Sequence, residues 1–161
     1  VALAEGVGEG SVRGMYRGRS GARKKLQVQL MGSGAILREV IAAAEMLEKD
    51  FQVSSDVWSV TSFSELRRDG IDCERWNMLH PAETPRQSFV AGNLAMTAGP
   101  CIAATDYMRI VADQIRPWIP GRYVVLGTDG FGRSDCRSAL RDFFEVDSSY
   151  IVIAALKALA D

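Results

Sequence analysis

Leu26-Gln27-Val28-Gln29-Leu30-Met31-Gly32-Ser33-Gly34 changes character in the middle, and that change decides the fold. Residues 26–31 alternate apolar with polar side chains, the period of a strand with one buried face, and Gly-Ser-Gly then turns the chain tightly. Beyond the turn the period lengthens. Ile36, Leu37, Val40, Ile41, Ala44 and Leu47 recur at three- and four-residue steps, with Glu39, Glu45, Glu48 and Lys49 on the other side. That spacing predicts an amphipathic helix of about four turns. The first unit is therefore strand, glycine turn, helix.

The same order recurs downstream. Asp56 to Phe63 is rich in β-branched and aromatic residues, which favours a strand, and Ser62 or Ser64 can cap a helix beginning at Glu65. Gly70 is expected to interrupt or end that helix, with a second piece from Asp72 to Leu79 halted at His80-Pro81, because a residue before proline avoids helical angles. After a loop over Pro81 to Pro85, Arg86 to Met96 is expected as a short helix and Cys101 to Thr105 as a buried strand. Thr105 or Asp106 then caps a helix from Tyr107 to Ile115, which ends before Pro117. Tyr123 to Leu126 is a fourth strand, Gly127 to Gly132 a glycine-rich loop, and Ser134 or Asp135 a cap for a helix to Phe144. A last helix covers Ser148 to Leu159. Such alternation implies right-handed crossovers and a mainly parallel sheet with helices on both faces, a three-layer α/β domain. It is expected to span residues 26–161, with residues 1–25 a linker or the end of a preceding domain.

A chain of 161 residues, 47% hydrophobic, can bury one core. Nineteen basic and twenty acidic side chains leave a net charge of -1, which argues against nucleic acid or an anionic membrane as partner. The longest wholly apolar run, Tyr150 to Leu156, is far short of the ~20 residues that span a bilayer. Cys73, Cys101 and Cys136 are odd in number and widely spaced, the pattern of reduced thiols, and point to a cytoplasmic location. The first residue is not methionine, no signal-peptide pattern follows, and the first 25 residues are rich in Gly, Arg and Ser, as expected of a cut within a longer protein.

Two turns could meet a ligand. Gly32-Ser33-Gly34 places backbone N–H groups between strand and helix, where an anion could sit, but it has neither the third glycine of a dinucleotide fingerprint nor the lysine of a P-loop. The alternative is a turn that lets the helix pack close to the strand. Gly127-Thr128-Asp129-Gly130-Phe131-Gly132-Arg133-Ser134-Asp135 follows a strand's C-terminal end, the usual ligand position in open α/β sheets. Its Asp129, Arg133 and Asp135 could clamp a polar partner, pair among themselves, or brace an interface. The single histidine, His80, has no second His, Asp or Glu at ligand spacing, so a capping or interface role fits it better than zinc or a catalytic triad. Of the cysteines only Cys136, near a predicted helix start, has an environment that could activate a thiol. Arg67, Arg68, Asp69, Asp72, Glu74 and Arg75 form either a solvated helix face or, with Trp76 beside them, a docking surface.

The run Thr61-Ser62-Phe63-Ser64-Glu65-Leu66-Arg67-Arg68-Asp69-Gly70-Ile71-Asp72-Cys73-Glu74-Arg75-Trp76-Asn77-Met78-Leu79-His80-Pro81 resembles the corresponding stretch of bacterial homodimeric, thiamine diphosphate-dependent pyruvate dehydrogenases. So do Val28 to Gly34, Thr105-Asp106-Tyr107-Met108, Leu126 to Asp135 and Phe144-Glu145-Val146-Asp147, in order along the chain. The resemblance implies a transketolase-like C-terminal domain with a five-stranded, mostly parallel (mixed) sheet, one strand more than the pattern alone provides. It further implies a parent enzyme that decarboxylates pyruvate and reductively acetylates lipoyl groups of a dihydrolipoyl acetyltransferase core, with the other domains of the same chain and a second copy as partners. Thiamine diphosphate and magnesium would lie in that enzyme's other domains, since the family's Gly-Asp-Gly and Asn-Asn metal motif and the cofactor-activating glutamate are absent here. The resemblance therefore carries over no catalytic, cofactor or metal residue, and the domain by itself is expected to be inactive and to serve packing and dimer formation. The five basic residues in Arg17 to Lys25 depart from the shorter linker expected of the family.

The residues that follow as candidates are Ser33, Gly34, Thr128, Asp129, Arg133, Ser134 and Asp135 for an anion site or interface loop, and Arg67, Arg75, Trp76 and His80 for a docking face. A freestanding α/β domain that binds an anionic small molecule at the two turns is the competing reading.

Overall fold

The computed structural model describes residues 7–161. Helix α1 (Val7–Arg13) leads into strand β1 (Met15–Arg19), and β2 (Gln27–Gly32) is followed by a 3-10 turn, Gly34–Ile36, and α2 (Leu37–Asp50). Then come β3 (Ser54–Val60), α3 (Phe63–Leu79), α4 (Phe89–Leu94), β4 (Cys101–Ala104), α5 (Arg109–Asp113), β5 (Tyr123–Leu126), α6 (Arg137–Phe143) and α7 (Ser148–Ala160). The five strands form one sheet in the order β1-β3-β2-β4-β5, parallel except for β1, which runs antiparallel to β3.

The sheet is buried on both faces, so its central strands carry almost no alternation in burial, as parallel strands under helices should not. On one face Val28, Leu30, Val57 and Ile102 meet α2 and α7 through Val40, Leu47, Ile151 and Ala155. On the other, Met31, Trp58, Val60 and Ala103 meet α3, α4 and α5 through Leu66, Leu94 and Ala112, with Ile115 just beyond α5. This is the three-layer mixed-sheet α/β architecture. Strand order turns about the β2–β4 pair: the chain leaves β2 toward β3 through α2 on the first face, and leaves β4 toward β5 through α5 on the second. A crevice opens at the C-terminal ends of these two strands, the switch point of a doubly wound sheet.

Besides α5, which starts at Arg109 with Met108 at its N-cap and is capped by neither Thr105 nor Asp106, three details differ from the sequence reading. Residues 7–13 and 15–19, assigned there to a linker or preceding domain, are a helix and the fifth strand, so the sheet begins before residue 26. The signal was faint because an edge strand needs only one inward residue, here Met15, which is fully buried, while Arg17 and Gly18 stay exposed. For residues 1–6 the linker expectation lies outside the described residues. Second, α3 is unbroken through Gly70. A Cβ at Gly70 would lie 2.4 Å from the Trp118 ring, so the glycine serves close packing and not a break. Third, α6 starts at Arg137 with Cys136 at its N-cap, not with Ser134 or Asp135, and no side chain caps it.

Candidate functional site

The two glycine turns meet at the switch point. Gly32 ends β2 so close to α2 that a Cβ would be 2.9 Å from Leu37 Cα, and Gly34 has φ +54°, a left-handed conformation open to glycine. Ser33 does not face solvent. Its hydroxyl is buried and donates to Thr105 Oγ1 at 2.8 Å, tying the end of β2 to the end of β4. Thr105 Oγ1 also accepts from the Tyr107 N–H at 3.2 Å, which holds the chain as it leaves β4.

The 127–135 loop is fastened to that segment. Thr128 donates its N–H to Tyr107 O at 2.9 Å and its hydroxyl to Asp106 O at 2.6 Å. Asp129 accepts from the Arg109 N–H at 2.9 Å and lies 3.6 Å from Arg109 Nε, so it holds the start of α5. Asp135 accepts from the Cys136 N–H at 2.7 Å. Arg133 lies over the Phe143 ring at 3.9 Å, and Ser134 makes no side-chain hydrogen bond among the described residues. Of the loop's three charged residues, the two carboxylates are thus spent on local backbone, and the guanidinium is stacked but has no carboxylate partner among the described residues.

Residues 106–108, the 127–135 loop through Thr128 and Arg133, and Ala35 and Ile36 just after the first turn border a cavity of about 630 Å³, which Ser33, Gly34, Asp129, Ser134 and Asp135 do not line. Its apolar lining includes Ile36, Met108, Leu140, Phe144 and Val146, and its charged lining is Asp106, Arg133, Arg137 and Arg141. Arg141 is neutralised by Glu39 at 2.5 Å. Asp106, Arg137 and Leu140 are not among the site candidates read from sequence, where Asp106 is expected only as a possible helix cap, a role it does not take since Met108 is the N-cap of α5. Asp106 follows the end of β4 directly and could have been found by the strand-end rule, but Arg137 comes near it only through the fold. Among the described residues no three of His, Cys, Asp and Glu cluster to hold a metal ion, and Asp106 is the one carboxylate lining the cavity. The donor set does not fit a thiamine diphosphate–magnesium site.

Cys136 is exposed, and its thiol, hydrogen-bonded to Ser138 Oγ at 3.3 Å, is held below the ordinary cysteine range. Burial instead pushes the Cys101 thiol up to about 12.

The α3 candidates lie far from this cavity in sequence and line no part of it. Arg67 and Arg75 are exposed. Trp76 is stacked on His80, ring centroids 4.3 Å apart, and Arg86 covers the Trp76 ring at 3.9 Å. His80 closes the helix: its N–H donates to Trp76 O at 3.0 Å and its Nδ1 lies 2.8 Å from the same oxygen. Ile71, Met78 and Leu79 are exposed beside the two arginines. Among the described residues no helix is long and apolar enough to cross a membrane.

The family described as the transketolase-like TK C-terminal domain matches residues 14–147. Among curated proteins, the pyruvate dehydrogenase E1 component of Cupriavidus necator is 60% identical over 161 residues, covering 99% of this chain and 18% of that protein. The pyruvate dehydrogenase E1 component of Escherichia coli K12 is 57% identical over 160 residues, with the same coverage. The chain thus spans about a fifth of the length of these relatives. Among solved structures, transketolase from Leishmania mexicana superposes with a TM-score of 0.60 at 19% identity, covering 94% of this chain and 19% of that one, a likeness of fold.

Proposed function

The chain belongs to the transketolase-like TK C-terminal domain family, and from that premise we propose that it is the C-terminal, dimer-organising α/β domain of a pyruvate dehydrogenase E1 component. The observation that carries the proposal is identity of 60% sustained over 99% of the chain. Identity of that extent includes surface as well as core positions, which a shared fold alone does not require. The transketolase likeness at 19% carries the fold only.

On this reading the longer polypeptide, cytoplasmic and homodimeric, decarboxylates pyruvate and passes the acetyl group reductively to lipoyl groups of a dihydrolipoyl acetyltransferase core. Thiamine diphosphate and magnesium would be held by its other domains, because the donor set here does not suit them. This domain's part is mechanical: it supplies a rigid sheet and exposed apolar side chains, among them Tyr107, Met108 and Ile110, that the rest of the enzyme can cover.

An antibody raised against this chain, used to probe a native lysate separated by mass, tests the proposal. The expected band is several times heavier than 17.6 kDa and travels with lipoyl-bearing protein in a very large assembly. A band that runs alone at the mass of this sequence would overturn it.

A further inference from the structure

Residues 130–143 wall the cavity at the strand ends but are scarcely attached to the sheet beneath it. Every residue from 129 to 138 is exposed, and α6 buries none of its own. Side-chain contacts within the segment are internal: Arg133 lies over Phe143, Asp135 accepts from the Cys136 N–H, and the Cys136 thiol meets Ser138. Among the described residues its side-chain polar contacts with distant elements run through Arg141 alone, to Glu39 and, at 3.4 Å, to Ala35 O.

The two ends of the segment differ. At the leading end Gly130, at φ +90°, and Gly132 have nothing within 4 Å of where a Cβ would stand, so the backbone there can turn freely. At the trailing end the Val146 N–H donates to Arg141 O at 2.9 Å and the Glu145 N–H to Asp142 O at 3.0 Å, the paired bonds of a Schellman closure, and Val146 is buried in the core. That closure takes a left-handed residue, ordinarily glycine, at the place Glu145 fills with φ +56°. Helix α6 is thus wound against a strained pivot, and at seven residues it is too short to persist once Arg141 lets go.

We infer that residues 130–143 are a hinged flap. Release of Arg141 from Glu39 and unwinding of α6 occur together, about a pivot at Glu145, and open the cavity that Leu140 and Arg141 wall. Opening relieves the left-handed backbone at Glu145, and closing regains the ion pair. The flap belongs to this chain's own fold and stands apart from the enzyme reading.

Native-state hydrogen exchange of the full 161-residue chain, resolved by residue, tests it. The amides of Leu140, Phe144, Glu145 and Val146, all bonded within the closed unit, are expected to exchange through one common opening, at least about a hundredfold more readily than Leu30 and Ile102 of the central strands. Glu145→Gly should raise the protection of all four together by about threefold or more. Gln52→Gly relieves the same kind of backbone at φ +58° just after α2, outside the flap, and should leave the four unchanged. Nitroxides on Cys136 and on Lys157→Cys, in a Cys73→Ser background, should report two separations, with Glu145→Gly depleting the minor one. Protection graded from residue 146 down to 140, protection equal to that of the central strands, or a Glu145→Gly variant that behaves like Gln52→Gly would each overturn the flap.

Discussion

Gly70 shows how one residue can be misread when only its helix propensity is considered. Alanine at a helix interior is worth about 1 kcal/mol over glycine, which would recommend Gly70→Ala as stabilising. The added methyl would meet Trp118 at 2.4 Å, and that indole is held by a 2.8 Å hydrogen bond from its Nε1 to Glu74 Oε1. Overpacking of this kind costs about 1–3 kcal/mol, so the clash wins. Gly70→Ala is expected to lower the denaturant midpoint with the slope unchanged, and in a Trp118→Leu background the same change should become neutral or stabilising. A second consequence at this scale concerns pH. Cys101 is buried against Tyr123 across the β4–β5 register, and burial raises both above their ordinary values, the thiol to about 12. A raised pKa in the folded state means that the unfolded chain loses its proton first. The stability contribution is complete below the unfolded thiol value of about 9 and drains as pH climbs toward 12, at up to about 1.4 kcal/mol per pH unit. Unfolding free energy should be level near neutrality and fall above pH 9, and Cys101→Ala should flatten the first part of that fall.

Among the elements, α6 is the least secured. It buries none of its residues, and Phe143 on it is half exposed. Its long-range attachment runs through Arg141 to Glu39 of α2, and Glu39 also accepts from the Ser148 N–H at 3.2 Å at the start of α7. One carboxylate thus positions two helices, and both members of the ion pair are mostly sheltered. Glu39→Gln should cost about 1–2 kcal/mol, below the figure for fully buried pairs because some solvent reaches this one. The loss should stay local, with amide exchange accelerated across residues 137–143 and unchanged in α2. The same contrast explains how much could be read in advance. α2 announces itself by period because it packs one continuous apolar stripe, whereas β2, read as a strand with one buried face, is buried on both, its Gln29 included. β1 and the true start of α6 do not announce themselves, since an edge strand with one buried methionine and a helix with no buried residue leave no periodic trace. The two glycine loops were legible as turns at strand ends. That the second of them opens on the same cavity as Ile36, Asp106 and Arg137 follows from the order β2-β4-β5, which no local pattern encodes.

At the scale of the whole molecule, two sets of neighbouring apolar side chains stand out among those left uncovered. Tyr107, Met108 and Ile110 follow β4, and Phe131, 96% exposed, stands at the tip of the loop that Thr128 fastens to the same segment. Ile71, Met78 and Leu79 form a second group on α3 beside Arg67 and Arg75. Single exposed apolar residues are ordinary on a protein surface, but grouped ones mark a surface that another body covers. The near-zero net charge offers no repulsion to keep two such surfaces apart. The 161-residue chain by itself is therefore expected to associate as its concentration rises, which sedimentation velocity reads directly. Ile110→Ser combined with Phe131→Ser should shift the distribution toward monomer. Both side chains are exposed, so the thermal midpoint measured at low concentration should move by less than about 0.5 kcal/mol equivalent. If the double variant associates as before while Met78→Ser with Leu79→Ser abolishes association, the covering body sits on α3 and the face at the C-terminal edge of the sheet is free. If neither pair changes the distribution, the contact is polar, and the packing role proposed for these apolar groups is wrong.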